Sequence, residues 1–191
     1  MQKSNYYILT GAMGGGKSTI LKELSTLRYN CIAEPAREIL KEQRAAGKDG
    51  TPDRNPARFN ELMLEKMISD YESNQKSDDI IIFDRGIVDV IAYAELLNTD
   101  NTAAIKAANE CKYNSHVFLF DAWKEIYTND DERKMSFELS AGFATSVRNV
   151  YMKLGYEIID VPFVSIAERV EFIIGTINEF SKSNKINTKI I

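Results

Sequence analysis

The chain has 191 residues, of which 44% are hydrophobic and 27% charged, with a formal net charge of −4. That length carries a hydrophobic core without help from disulfides or structural metals. An acidic balance has the wrong sign for a nucleic-acid partner. One histidine and two cysteines without C-x-x-C spacing exclude a zinc pattern. Cys31 and Cys111 sit in apolar surroundings and are expected to be buried and reduced, which fits a cytoplasmic protein. No run approaches the ~20 apolar residues of a membrane span, so no membrane partner is expected. No N-terminal stretch has the layout of a signal peptide.

The first apolar run, Tyr6–Thr10, has the length and composition of a buried strand. Ile20, Leu24 and Leu27 then fall on one helix face. A second strand is expected over Cys31–Glu34, followed by a helix start at Pro35. Gly47–Pro56 holds two glycines and two prolines and reads as a loop. Leu64, Met67, Ile68 and Tyr71 follow helical spacing, and Ile80–Asp84 is a third strand. Ile87, Val90, Ile91 and Ala94 make another helical stripe, before a fourth strand at Val117–Phe120. Val147, Val150, Tyr151 and Leu154 precede a fifth strand at Ile158–Val161, and Val170, Ile173, Ile174 and Ile177 close the series. Each stripe reads as core packing. Residues 181–191 read as a polar tail. Strands alternating with helices predict an α/β fold on a mainly parallel sheet, with ligands at the carboxyl ends of the strands.

Between the first strand and the first helix stands Gly11-Ala12-Met13-Gly14-Gly15-Gly16-Lys17-Ser18, a full G-x-x-x-x-G-K-S/T match. Strand before and helix after is the context that gives this pattern meaning. Glycines let main-chain N–H groups converge on phosphate oxygens, and the helix turns its positive end to the same place. Gly11 to Thr19 are therefore candidate nucleotide ligands. Lys17 is the candidate partner of the β- and γ-phosphates, and Ser18 offers its hydroxyl to Mg²⁺.

Asp84 ends the third strand, where a carboxylate can hold Mg²⁺. Arg85 beside it suits transferring phosphate oxygens; the competing reading is a turn that caps the following helix. Glu34 ends the second strand, where a carboxylate can serve as general base. Arg37, one turn on, is a candidate for an anionic acceptor or the phosphates; both residues also suit an ordinary helix start. The charged segment from Trp123 to Lys134 is where a lid should carry cations. Arg133 is its first candidate and Lys134 its second, against the reading of a solvated cluster; Arg148 is a remote candidate.

The set GAMGGGKST, EPAREIL, IIIFDRGIVDVIAY, Trp123 to Arg133 and LGYEIIDVP resembles the AAA-type ATPase/kinase domain. That domain is related to the ribosylnicotinamide kinase domain of bacterial NAD-biosynthesis regulators, and more distantly to deoxynucleoside and nucleotide kinases. The resemblance spans about residues 6–177. It implies a three-layer P-loop fold over residues 1–180, with a five-stranded parallel sheet in the order 2-3-1-4-5 and a short helical lid at about 124–135. It implies Glu34 as base, Asp84 as metal-linked acid, and Arg85 and Arg133 as charge stabilisers. Asp89 and Tyr93 would line the acceptor side, and adenine would lie near Val161-Pro162-Phe163. The chain thus reads as a MgATP-dependent phosphotransferase with a small, nucleoside-like hydroxyl acceptor. A nucleotide-controlled ATPase or switch acting on a protein partner is the alternative. Whether the chain self-associates is left open.

Overall fold

The computed structural model describes residues 2–127 and 135–187. Five strands and seven helices follow one another among them. The order is β1 (Tyr6–Gly11), α1 (Lys17–Thr26), β2 (Asn30–Ile32), α2 (Ala36–Ala45), α3 (Pro56–Ser73), β3 (Ile81–Asp84), α4 (Ile87–Leu97), α5 (Thr102–Glu110), β4 (His116–Phe120), α6 (Phe137–Lys153), β5 (Glu157–Asp160) and α7 (Ile166–Asn187). The strands form one parallel sheet in the order β2-β3-β1-β4-β5, as the resemblance implied.

β1 lies in the middle, paired with β3 from Tyr6↔Ile81 to Leu9↔Asp84 and with β4 from Ile8↔Val117 to Gly11↔Phe120. Its side chains alternate between two cores, as the two-residue period of a strand requires. Tyr6 and Ile8 enter the core with Met63, Ile91 and Val147 from α3, α4 and α6. Tyr7 and Leu9 enter the core with Leu24 and Ile173 from α1 and α7. A sheet covered on both faces explains why the strands read as unbroken apolar runs. α4 packs against α3, α5 and α6, so its residues from Ile87 to Ala94 are buried all round.

Local chemistry sets the helix starts. Asn55 caps α3 by accepting from the Arg58 N–H at 3.1 Å, with Pro56 in the first turn. Ser136 does the same for α6, accepting from Leu139 N–H at 3.2 Å.

The structure departs from the expectations in several places. α5 has no counterpart in them, because its buried face is only Ala104, Ala107 and Ala108 and small residues make no visible stripe. Leu27 is 55% exposed, since it caps the end of α1 instead of facing the sheet. Cys31 and Cys111 are free but only half-buried. α7 runs on to Asn187, into the expected tail, with Ile177 in the core and Phe180 stacked on His116 at 3.7 Å. Of the expected lid, residues 128–134 lie outside the described residues, and Arg133 and Lys134 with them. No helix among the described residues is long and apolar enough to cross a membrane.

Gly11 ends β1 at φ +111°, and a Cβ on it would stand 2.3 Å from the Phe120 carbonyl oxygen on β4. Gly11→Ala should therefore cost about 2–4 kcal/mol in urea unfolding. Gly175→Ala in α7, where a Cβ meets nothing within 4 Å, should be neutral or stabilise by about 0.5–1 kcal/mol.

Candidate functional site

The glycine-rich segment wraps from the end of β1 to the start of α1 at the carboxyl edge of the sheet. Gly14 and Gly16 adopt φ of +76° and +91°, which lets the chain fold back on itself. Gly16 caps α1 without a side chain, so the first N–H groups of the helix stay open to an anion. Lys17 is buried and lies across the loop, donating from Nζ to the Ala12 carbonyl at 2.6 Å. Burial lowers its pKa to about 8, helped by the neighbouring Arg85 and opposed by Asp84, Glu34 and Asp89.

The β1–β3 register sets Asp84 beside Leu9, within reach of this loop. Ser18 Oγ donates to Asp84 Oδ2 at 3.2 Å. Asp84 Oδ1 is buried and has no hydrogen-bond partner. Burial raises the Asp84 pKa to about 6, with Glu34 adding to the effect and Lys17 and Arg85 opposing it. An orphaned carboxylate oxygen next to a serine hydroxyl suits a hard cation. No group of three or more His, Cys, Asp or Glu side chains converges on a metal position among the described residues. A divalent ion held by Ser18 and Asp84 would then take its remaining ligands from phosphate and water.

Arg85 follows Asp84 in the left-handed region, at φ +72°, and is 2% exposed. Its Nε donates to Glu34 Oε1 at 2.6 Å, and its Nη1 donates to the Gly11 carbonyl at 3.1 Å and to Asp89 Oδ1 at 3.0 Å. Tyr93 Oη also donates to Glu34 Oε1, at 3.3 Å. Burial alone would raise the Glu34 pKa, but Arg85 and Lys17 overcome it and hold the carboxyl below its ordinary value.

One cavity of about 640 Å³ runs along this edge. Its middle is the loop, from Met13 to Thr19. One end is bounded by Glu34, Arg37, Arg85 and Tyr93 with the apolar Leu40 and Phe59; the other by Trp123, Ile126, Val164 and Arg169. The structure thus brings Lys17, Ser18, Glu34, Arg37, Asp84, Arg85 and Tyr93 to one place. Asp89, expected on the acceptor wall, lies beneath it and is fully buried. Its two oxygens take four donors: Thr10 Oγ1 at 2.5 Å, Arg85 Nη1, Gly86 N–H at 3.0 Å and Tyr151 Oη at 2.7 Å. Pro162 does not line the cavity; Val164, Ser165 and Ile166 carry that loop to it. Arg148 pairs with Asp160 outside the site, because the end of β5 presents that carboxylate to α6.

Arg169 was not foreseen. It lies in the first turn of α7, 2% exposed, and donates from Nη2 to the Gly15 carbonyl at 3.0 Å. Its guanidinium sits 4.6 Å from the Phe120 ring and 5.5 Å from that of Trp123. In the sequence it is one charge beside an apolar stripe, and no motif marks it.

Sheet, loop and paired acid define a P-loop NTPase of the kinase type of fold. The AAA domain family matches over residues 6–169, and the chain belongs to that family. No curated protein matches the sequence. Among solved structures, deoxyadenosine kinase from M. mycoides with dCMP and a flexible dCDP is 20% identical. That match covers 91% of this chain and 99% of that one, with a TM-score of 0.68. The same kinase with dATP is 18% identical over the same shares, with a TM-score of 0.63. Shikimate kinase from Aquifex aeolicus is 18% identical over 92% of this chain and 98% of its own, with a TM-score of 0.53.

Phosphate oxygens beside Lys17 favour its charged form and raise its pKa again. Binding of a non-hydrolysable ATP analogue at pH 9 should therefore take up close to one proton, and at pH 7 almost none. Calorimetry in buffers of different ionisation enthalpy measures this. The raised pKa of Asp84 means that folding favours its neutral form. The stability this lends is present below the ordinary aspartate value of 3.8 and lost as pH rises through about 6. At pH 7.5 without ligand, Asp84→Asn should melt above the parent while losing Mg²⁺-dependent nucleotide binding.

Proposed function

We propose that the protein is a MgATP-dependent phosphotransferase acting on a hydroxyl of a small, nucleoside-like acceptor. The observation that carries this reading is Glu34. It stands at the cavity between the phosphate loop and an apolar wall, held ionised by Arg85 at 2.6 Å and still 20% exposed. A carboxylate so placed can take the proton of an acceptor hydroxyl. The wall formed by Leu40, Pro52 and Phe59 suits a flat, apolar ring face, with Arg37 and Tyr93 as polar anchors. The kinase folds of the similar structures support the same reading.

In the proposed reaction the acceptor oxygen attacks the γ-phosphorus and its proton passes to Glu34. The bond from the γ-phosphorus to the bridging oxygen breaks, and ADP leaves. Lys17 and Arg85 spread the charge that develops on the phosphate oxygens, with Arg133 as a further candidate cation. Ser18 and Asp84 would hold Mg²⁺, whose charge would neutralise the phosphates. Tyr93 orients Glu34, and the glycine loop aligns the donor. Alignment and fixed charge account for most of the catalysis.

The test is ADP release with Mg²⁺ across a panel of nucleosides and ribosides, with product mass as the second readout. One compound should stimulate turnover and gain a phosphate. Glu34→Gln should bind ATP as the parent does and lose transfer about 10²–10⁴-fold. Hydrolysis that no compound changes would favour the ATPase reading, and unimpaired transfer by Glu34→Gln would remove it from the mechanism.

A further inference from the structure

We propose that Ser140 and Arg169 are positioning residues for the phosphate site. From α6 and α7 they hold the carbonyls of Met13 and Gly15, and so fix the glycine loop in its anion-binding shape before a ligand arrives. This deepens the nucleotide-binding reading of the loop and rests on it.

A glycine loop carries a cost of its own. Gly14, Gly15 and Gly16 reach the angles that a phosphate needs, but glycines also lose the most conformational freedom when they are ordered. Positive φ at Gly14 and Gly16, +76° and +91°, but not at Gly15, gives the alternation that turns successive N–H groups into a concave nest. A nest that is ordered only on binding loses affinity to that ordering, and one that is ordered beforehand does not. The loop does little of this for itself: the Gly15 N–H reaches the Ala12 carbonyl only at 3.4 Å.

The side chains that hold it come from 127 and 154 positions away. Ser140 is fully buried, and its Oγ donates to the Met13 carbonyl at 2.7 Å. A serine inside a helix often turns its hydroxyl back to its own helix; this one gives it to the loop. Arg169 donates from Nη2 to the Gly15 carbonyl at 3.0 Å, with its guanidinium 4.6 Å from the Phe120 ring at the end of β4. Its Nη1 stands 2.9 Å from where a Cβ on Gly16 would be. A trans peptide sets its N–H opposite its C=O. Holding the Met13 carbonyl therefore fixes the direction of the Gly14 N–H, and holding the Gly15 carbonyl fixes that of the Gly16 N–H. Met13, Gly14 and Gly16 line the cavity, and neither N–H enters a main-chain hydrogen bond among the described residues. A flip of either peptide would put a carbonyl oxygen where the donor stands.

The test titrates tripolyphosphate, which has no base, by calorimetry and follows the glycine amide signals by NMR. It compares the parent with Ser140→Ala, Arg169→Met, Arg169→Lys and Val147→Ala, each below its melting transition. Val147 is a core residue about two turns further along α6. Ser140→Ala should weaken tripolyphosphate about 3- to 15-fold, the range that one hydrogen bond supplies. Arg169→Met should weaken it at least as much, since a charge goes too. The Gly14 signal in the first and the Gly16 signal in the second should broaden without ligand and sharpen at saturation. Val147→Ala should lose stability but keep affinity and sharp signals. Arg169→Lys keeps the charge, and its affinity and a sharp Gly16 signal should return together or not at all. Parent affinity in Ser140→Ala, an equal loss in Val147→Ala, or an Arg169→Lys that binds like the parent with a broad Gly16 signal would overturn the proposal and leave the loop assignment standing. Ser140→Ala removes one oxygen, so it decides alone if Arg169→Met does not fold. A parent that binds neither ATP nor tripolyphosphate would overturn the loop assignment as well.

Discussion

Arg85 combines two costs in one residue: a left-handed backbone at φ +72° and a charge that is 2% exposed. A strained non-glycine backbone costs on the order of 1–3 kcal/mol, and a buried cation costs several more unless it is paired. Asp89, Glu34 and the Gly11 carbonyl supply the compensation. Asp89 is in turn fixed by Thr10 at the end of β1, by the Gly86 N–H at the start of α4 and by Tyr151 from α6. The tight space at Gly86, where a Cβ would meet Ile8 at 2.5 Å, lets α4 begin right under the sheet. One guanidinium therefore ties together the last residues of β1 and β3, two helices and the carboxylate just past β2. The glycine loop starts from a rigid point because of it.

The same cation separates two carboxylates that share a neighbourhood. Glu34 receives hydrogen bonds from Arg85 and Tyr93, and the attraction of Arg85 and Lys17 outweighs its burial. Asp84 receives one hydrogen bond, from Ser18, and burial outweighs the same two cations. Acids pushed apart in this way can hold different roles at one pH. Asp84, with an oxygen unsatisfied, gains most from a cation. Glu34 is already ionised and reaches the cavity, where a proton can find it.

The phosphate loop, the five strands, the acid that ends β3 and the acid just past β2 were legible in the sequence. Each leaves a local mark: glycines at fixed spacing, short β-branched runs, a carboxylate after an apolar stretch. The sheet order came from resemblance, since apolar runs say nothing about which neighbours pair. Asp89 and Arg169 show what local marks miss. Asp89 sits in a family motif and reads as a ligand, yet four donors enclose it, two of them, Thr10 and Tyr151, from distant segments. Arg169 acquires its place only when the first turn of α7 folds over Phe120 and Trp123, 46 or more positions away in the chain. α5 went unseen for a related reason, because alanine buries without a hydrophobic signal.

The two ends of the cavity owe their separate characters to the topology. With β1 in the middle, the glycine loop lies between the segments leaving β2 and β3 on one side and those leaving β4 and β5 on the other. The first side delivers Glu34, Arg37 and Arg85, with Leu40 from α2 and Phe59 from α3. The second delivers Trp123, Val164 and Arg169. Crevices at such a reversal of strand order are where open α/β sheets bind ligands. The first end pairs its charges and keeps an ionised acid beside an apolar wall. The second end has the stacked rings of Trp123 and Phe163, with the Arg169 guanidinium beside the indole. The same strand order thus separates the two ends, with Lys17 and the loop at the boundary between them.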